Sequence, residues 1–305
     1  MEGRLHSEEY LSDIRLTWWN ADFLRLMVSR WGIHPCSSIL DVGCGHGHWL
    51  MTLMQHVIEP KMVQGIDKEN EWVWRAKEAF SKAFPTISSD FTTGNAESLD
   101  IADNSFDVVT CQTLLMHLAM PQRALQEMIR VLKPGGILIC IEPNNFLNYI
   151  GSDSVVEEDS VESRLGQFEF WLRYSLGKKS LGEGDNAIGE KLLALLAPFA
   201  LTDIQLYICD KVSPLVPPYQ HETMQAAVKQ VKEWMSTNRG LFDEAEIAKY
   251  VRAGNGSEEL LKHGLVKLRQ RYVKMLEDIE KNRYYSSSAG FMYLCSGRKT
   301  NGSTA

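Results

Sequence analysis

A doubly wound α/β fold is predicted by three features of this 305-residue chain. Across residues 36–145, short apolar runs alternate with helix-length stretches, the pattern of parallel strands joined by crossover helices. The first run, Ile39-Leu40-Asp41-Val42, breaks into Gly43-Cys44-Gly45-His46-Gly47, with glycine at every second position. A second run ends on a carboxylate, Asp67, twenty residues beyond Gly47.

Each element follows in order. Glycine tolerates positive φ and lets a ligand approach the backbone closely. Trp49 to Gln55 reads as a helix, so the turn sits where N–H groups converge, a place that attracts anions. Strand, glycine turn and helix together mark a nucleotide-like cofactor site. Met62 to Asp67 is the second strand, and a carboxylate at its end suits two ribose hydroxyls. Phe91 to Glu97 ends a third strand in a small polar cluster, and Ser105 to Cys111 is the fourth. Ala124 to Leu132 is helical, Lys133-Pro134-Gly135-Gly136 a turn, and Ile137 to Ile141 a fifth, buried strand. A dinucleotide fingerprint needs a glycine where this chain has the bulky His48, which argues against a nicotinamide cofactor.

Asp41 with Gly43, Gly45 and Gly47 resembles motif I of the class I S-adenosylmethionine-dependent methyltransferases, an acidic residue followed by G-x-G-x-G. Arg130-Val131-Leu132-Lys133-Pro134-Gly135-Gly136 resembles the R-V-L-K-P-G-G signature of the small-molecule methyltransferases. The resemblance covers roughly residues 36–145. It implies a seven-stranded, mostly parallel sheet whose last strand runs antiparallel beside the fifth, with helical lid insertions. It also implies S-adenosylmethionine as cofactor and a role for each matching residue. Gly43, Gly45 and Gly47 would meet the methionine part through their backbone, and Asp41 would support its amino group. Asp67 would take the ribose hydroxyls, with Lys68 or Glu69 flanking the adenine. Asn95, Ala96 and Glu97 would read the base, and Gln112 would close over the methionine end.

Outside this core the chain reads as one methyltransferase domain, 1–305, with additions. An N-terminal helical cap, 1–35, places Leu11, Ile14, Trp18, Phe23, Leu24, Met27, Val28 and Trp31 at three-to-four-residue spacing. Adjacent rings at Trp18 and Trp19 cannot face the same way on a helix, so one belongs to the core and the other to cofactor or substrate. A lid insertion, 146–187, runs from an acidic stretch (Ser152 to Glu162) into an aromatic one (Leu165 to Leu176) and then a loop from Lys178. Tyr149, Trp171 and Tyr174 are its candidate substrate contacts, since aromatic faces suit flat or cationic molecules.

A core helix and strand fill 188–211, a helical insertion 212–288, and a closing strand 289–299. The helical insertion opens on a proline-broken linker, Ser213 to Tyr219, and carries helices over 222–237, 243–252 and 257–281. It is expected to lie on the lid or to build an oligomer face, while its apolar stripe reads first as core packing. Val216-Pro217-Pro218-Tyr219 imitates the N-P-P-Y motif of nucleic-acid amino-methylating enzymes, but that motif belongs after strand four, where this chain has Cys111 to Leu115.

A formal charge of −7 and a pI near 5.7 argue against a partner held by phosphates, so no nucleic acid is expected. Six scattered cysteines suit a reducing compartment, and eight histidines without zinc spacing predict no metal. Met1 to Tyr10 lacks an apolar signal core, and no run approaches the ~18 apolar residues of a spanning helix. A cytoplasmic protein with no membrane contact is expected.

Methyl transfer to an N, O or C atom of a small molecule is therefore the leading reading. Methylation of a protein or RNA, or non-catalytic binding of S-adenosylmethionine, are the alternatives. A weakly acidic acceptor needs a general base; His117, beyond strand four, and Glu142, beyond strand five, are the candidate catalytic residues, and Glu142 could also bind a cationic or hydroxylated substrate.

Overall fold

The computed structural model describes residues 18–35, 37–151, 153–236 and 243–301. The readings made for Met1 to Tyr10, Leu11, Ile14 and Cys36 fall outside them. In chain order the elements are α1 (Ala21–Trp31), β1 (Ser38–Val42), α2 (His48–Met54), β2 (Met62–Asp67), α3 (Asn70–Ala83), β3 (Ser89–Thr93), β4 (Phe106–Gln112), α4 (Pro121–Val131), β5 (Leu132–Pro143), α5 (Asn145–Tyr149), α6 (Val161–Ser180), α7 (Leu192–Leu196), β6 (Leu201–Ile208), β7 (Val212–Leu215), α8 (Glu222–Ser236), α9 (Glu244–Ala253), α10 (Glu258–Glu280), β8 (Ser286–Ala289) and β9 (Met292–Lys299).

The chain divides into two compact units. The first comprises the chain up to Pro143, Ile188–Asp210 and the chain from Met292; the second comprises Asn144–Ala187 and Lys211–Phe291.

The first unit is built on a seven-stranded sheet in the order β3-β2-β1-β4-β5-β9-β6. Strands β1 to β5 pair in parallel, while β9 runs antiparallel to both β5 and β6. All five residues of β1 are buried, as expected of a strand covered on both faces. One face packs Ile39 and Val108 against Trp31, Trp49 and Phe80. The other packs Leu40 and Val109 against Leu125, Met128 and Leu192. Each such side chain contributes roughly 2 kcal/mol by leaving water. Since β1 is flanked by β2 on one side and β4 on the other, the chain direction of crossover reverses there. Ligands of doubly wound sheets bind beyond the strand ends at that point.

One local expectation changes. Lys133 to Gly136 is not a turn before the fifth strand but part of β5 itself, accommodated by an irregularity. Phe106 pairs with Leu132 and Val108 next with Ile137, so the extra residues bulge out, with Gly135 at φ +75°. Gly136 has no room for a side chain, since a Cβ there would lie 2.8 Å from Leu132 and 2.9 Å from the Asp107 carbonyl.

In the second unit the lid and the helical insertion join in one core. α6 packs on α9 so closely that a Cβ on Gly177 would fall 1.7 Å from the Tyr250 carbonyl oxygen. Phe170, Trp171, Tyr250, Val251 and Leu261 share the resulting cluster. α6 is capped by Ser160 and continues through Ser180, so the expected loop from Lys178 begins three residues later. The proline-broken linker also differs. Val212–Leu215 forms β7, which pairs antiparallel with β8 in a two-stranded ladder that tolerates Pro214. No helix among the described residues is long and apolar enough to cross a membrane.

Candidate cofactor site

The glycine turn leaves β1 with Gly43, Gly45 and Gly47 at φ +73°, +50° and +77°, conformations that side chains resist. Space reinforces the choice at Gly43, where a Cβ would lie 2.7 Å from Leu114 Cδ1. The turn is pinned from within. Gly43 and Cys44 N–H both donate to the Ile66 carbonyl (2.7 and 2.9 Å), and Gly47 N–H donates to the Cys44 carbonyl (2.8 Å). These amides are thus bonded inside the protein, and the glycines supply shape rather than free N–H groups.

Asp67 at the end of β2 ties the turn to the next strand. Its Oδ2 accepts from Gly45 N–H at 2.9 Å and its Oδ1 from Glu69 N–H at 3.0 Å. Both bonds fix the carboxylate, and each oxygen keeps a lone pair for a hydroxyl donor. Lys68 is exposed beside it and pairs with Glu69 at 3.9 Å. Beyond β3, Asn95 Oδ1 accepts from Glu97 N–H (2.9 Å), closing a small turn in which Asn95 is exposed and Ala96 and Glu97 are half-buried.

Asp41 is different in kind. It is 1% exposed, and neither carboxylate oxygen has a hydrogen-bond partner among the described residues. Burial, and secondarily the charge of Asp67, pushes its pKa well above the usual carboxylate range. A fixed, dry, uncompensated acid is costly unless a ligand answers it. At the end of the neighbouring strand β4, Gln112 is also buried, and its Nε2 lacks a partner among the described residues.

Thr113, just after β4, and Glu142, inside β5 rather than beyond it, shape the same end of the sheet, and of the two only Glu142 was expected there. Thr113 follows β4 in the left-handed region (φ +52°), unusual for a β-branched residue, and its N–H donates to the Ile141 carbonyl at 2.9 Å. The turn that follows, Leu115–His117, is clamped by Glu142. Glu142 Oε1 accepts from Leu114 N–H (2.9 Å) and Leu115 N–H (2.7 Å), and Oε2 from Met116 N–H (3.3 Å). Burial pushes its pKa up to about 8 against the pull of those three donors. Glu142 is fully buried, so the expectation that it serves as base or substrate contact gives way to a supporting role: it holds Leu114, which abuts Gly43. His117 ends the same turn, half-buried.

The candidate substrate aromatics divide in the same manner. Trp19 is buried against Trp49, ring centroids 5.6 Å apart, while Trp18 is half-buried. Trp19 is therefore the core member of the pair. In the second unit Trp171 and Tyr174 are buried in the α6–α9 cluster, which removes them as open lid contacts. Tyr149 stacks on Trp171 at 4.4 Å and remains half-buried. Among the described residues no group of three His, Cys, Asp or Glu is arranged to hold a metal ion.

The positive-φ glycine turn, Asp67, Asp41 and Gln112 all lie within the stretch that resembles the class I S-adenosylmethionine-dependent methyltransferases. Residues 40–140 match the family model described as a methyltransferase domain. Over 124 residues the chain is 36% identical to a demethylmenaquinone methyltransferase of Shouchella clausii, covering 41% of this chain and 51% of that protein. Over 135 residues it is 33% identical to a 37.1 kDa protein of transposon TN4556 from Streptomyces fradiae, covering 44% of this chain and 38% of the relative. The chain thus spans about half or less of the curated relatives it matches. A solved candidate methyltransferase of Bacillus halodurans C-125 shares the fold with a TM-score of 0.52 at 18% identity, over 92% of this chain and 99% of that one. The YcgJ protein of Bacillus subtilis gives 0.51 at 16%, over 93% and 100%.

Proposed function

We propose that this protein transfers the methyl group of S-adenosylmethionine to an N, O or C atom of a small-molecule acceptor. One observation carries the reading: Asp41, a buried carboxyl group with no hydrogen-bond partner among the described residues, leads into a turn of three positive-φ glycines. Asp41 would hold the ligand's cationic amino group and Gln112 Nε2 its carboxylate. Asp67 would hold the ribose hydroxyls, with the Asn95–Glu97 turn at the base. When bound, the sulfonium supplies an electrophilic methyl group that an acceptor attacks in line. The residues of this chain supply orientation and exclusion of water, which alone lower the barrier substantially. His117 is the candidate base when the acceptor is a hydroxyl or carbon acid.

The acidic balance of the chain favours a small acceptor over a nucleic acid, and the relatives named demethylmenaquinone methyltransferases support the same class. Five described cysteines are free thiols, in keeping with a cytoplasmic setting. An acceptor panel with labelled methyl donor tests the reading. Incorporation into a small molecule that falls at least tenfold in Asp41→Asn supports it, and label entering only protein or RNA overturns it.

A further inference from the structure

Within the second unit, a cavity of about 620 Å³ opens between residues 149–151 and 155–156, the first turns of α6 and the middle of α10. That volume lies in the range of small-molecule sites. Its two helical walls differ in kind. α6 contributes Val161, Leu165 and Phe168, spaced i, i+4 and i+7 on one face and left 67, 64 and 41% exposed. α10 contributes Lys267, Arg271 and Lys274 at the same spacing, so three cations share one helix face.

Each of these three cations is steadied by a carboxylate. Asp159 lies 3.6 Å from Lys267, Asp153 lies 2.8 Å from Arg271, and Asp278 lies 3.0 Å from Lys274. Asp153 and Asp278 are themselves buried, which fixes the side chains they hold. Of the three acids, only Asp159 lines the cavity. A fourth cation, Arg164, stands among the apolar residues of α6 and has no ion-pair partner among the described residues. A ligand therefore meets four cations and one carboxylate on one side and exposed aliphatic and aromatic surface on the other.

We propose that this cavity binds an amphipathic anion, a carboxylate or phosphate monoester carrying an apolar chain. The head group sits between Arg164 and the cationic face of α10, and the chain covers Val161, Leu165 and Phe168. A bare inorganic anion would leave that apolar wall in water, and an amphipathic cation would meet like charge. The site lies wholly in the second unit and stands whether or not the methyl-transfer reading does.

Calorimetric titration of the full chain with decanoate and with decyl phosphate, below micellar concentrations, tests this. One molecule is expected to bind per chain, and the tighter of the two heads identifies the natural one. Inorganic phosphate and decyltrimethylammonium are expected to bind at least about tenfold more weakly than the better anion. The double variant Arg164→Gln/Lys267→Gln, and separately Phe168→Asp, should each weaken that anion by about tenfold or more while leaving S-adenosylmethionine titration unchanged. These positions are at least partly exposed, so far-UV circular dichroism should match wild type. Decyltrimethylammonium binding as tightly as either anion, or affinity unchanged in the double variant, would overturn the assignment.

Discussion

The two units bury their acids in opposite ways. In the second, Asp153 is 6% exposed and accepts from Arg271 Nη2 (2.8 Å) and the Tyr284 hydroxyl (3.0 Å), and Asp278 is held by Lys274 and Arg283. Although burial opposes it, those cations keep the Asp278 carboxyl below its ordinary value. In the first unit the two most buried acids, Asp41 and Glu142, form no ion pair among the described residues, and burial pushes both upward. The second unit thus uses its buried charges to fix its own framework. The first holds one carboxylate, Asp41, that nothing in the described chain neutralises, and another, Glu142, that braces the turn beside it. A buried acid with a partner reads as architecture, and one without reads as a place for a ligand.

This contrast can be broken by substitution. The largest effect is expected for Asp153→Asn, which strands Arg271 and the Tyr284 hydroxyl. Loss of about 3 kcal/mol in urea unfolding is predicted, below the ceiling for a buried pair because Arg271 is 29% exposed. Asp41→Asn should act in the opposite sense on stability. It removes a desolvated acid that has no partner, so unfolding free energy at pH 7 should hold or rise by about 1 kcal/mol. Its S-adenosylmethionine affinity should nonetheless fall about 30- to 100-fold, or roughly 2–3 kcal/mol. A variant that lost stability and kept affinity would place Asp41 with the structural acids.

Glu142 sharpens the comparison through pH. Its folded-state pKa, near 8, lies above that of an unfolded glutamate, so the native state retains a proton that the unfolded chain releases. Its stabilising contribution is therefore greatest below about pH 4.5 and declines as pH rises toward 8. Wild type should lose about 1–2 kcal/mol more than Glu142→Gln between pH 6 and pH 8 in paired urea titrations. The smallest effect belongs to Lys133→Met. Lys133 and Asp107 pair at 2.9 Å, both about a third exposed. Despite partial burial, hydrogen bonds from Ser38 and Lys133 hold the Asp107 carboxyl below its ordinary value. Removing Lys133 should cost about 0.5 kcal/mol at pH 7, an increment lost as acid protonates Asp107 below pH 4.

How far these differences were visible in the sequence depends on the range of the interactions. The glycine turn, the strands bounding it and Asp67 are local, so spacing alone places them at one end of the sheet. The antiparallel closing strand was available only through the family resemblance, since β5 and β9 are separated by the whole second unit. Glu142 follows an apolar strand and looks like a site residue, but its three N–H donors lie 26 to 28 residues earlier, and only the register of β4 on β5 brings them to it. Trp171 and Tyr174 carry the composition of a lid, whereas the approach of α6 to α9 at Gly177 buries them. Pro214 reads as a linker because its strand partner, β8, lies some seventy residues on.

The most direct test of the account is proton release on cofactor binding. S-adenosylmethionine is titrated calorimetrically into wild type and Asp41→Asn at pH 6 in buffers of different ionisation enthalpy. Burial makes the Asp41 carboxyl hold its proton to higher pH in the free protein than it would beside a cationic amino group, so wild type should release more proton on binding than Asp41→Asn. Equal proton release and equal affinity in the two proteins would contradict the claim that Asp41 is held for the ligand.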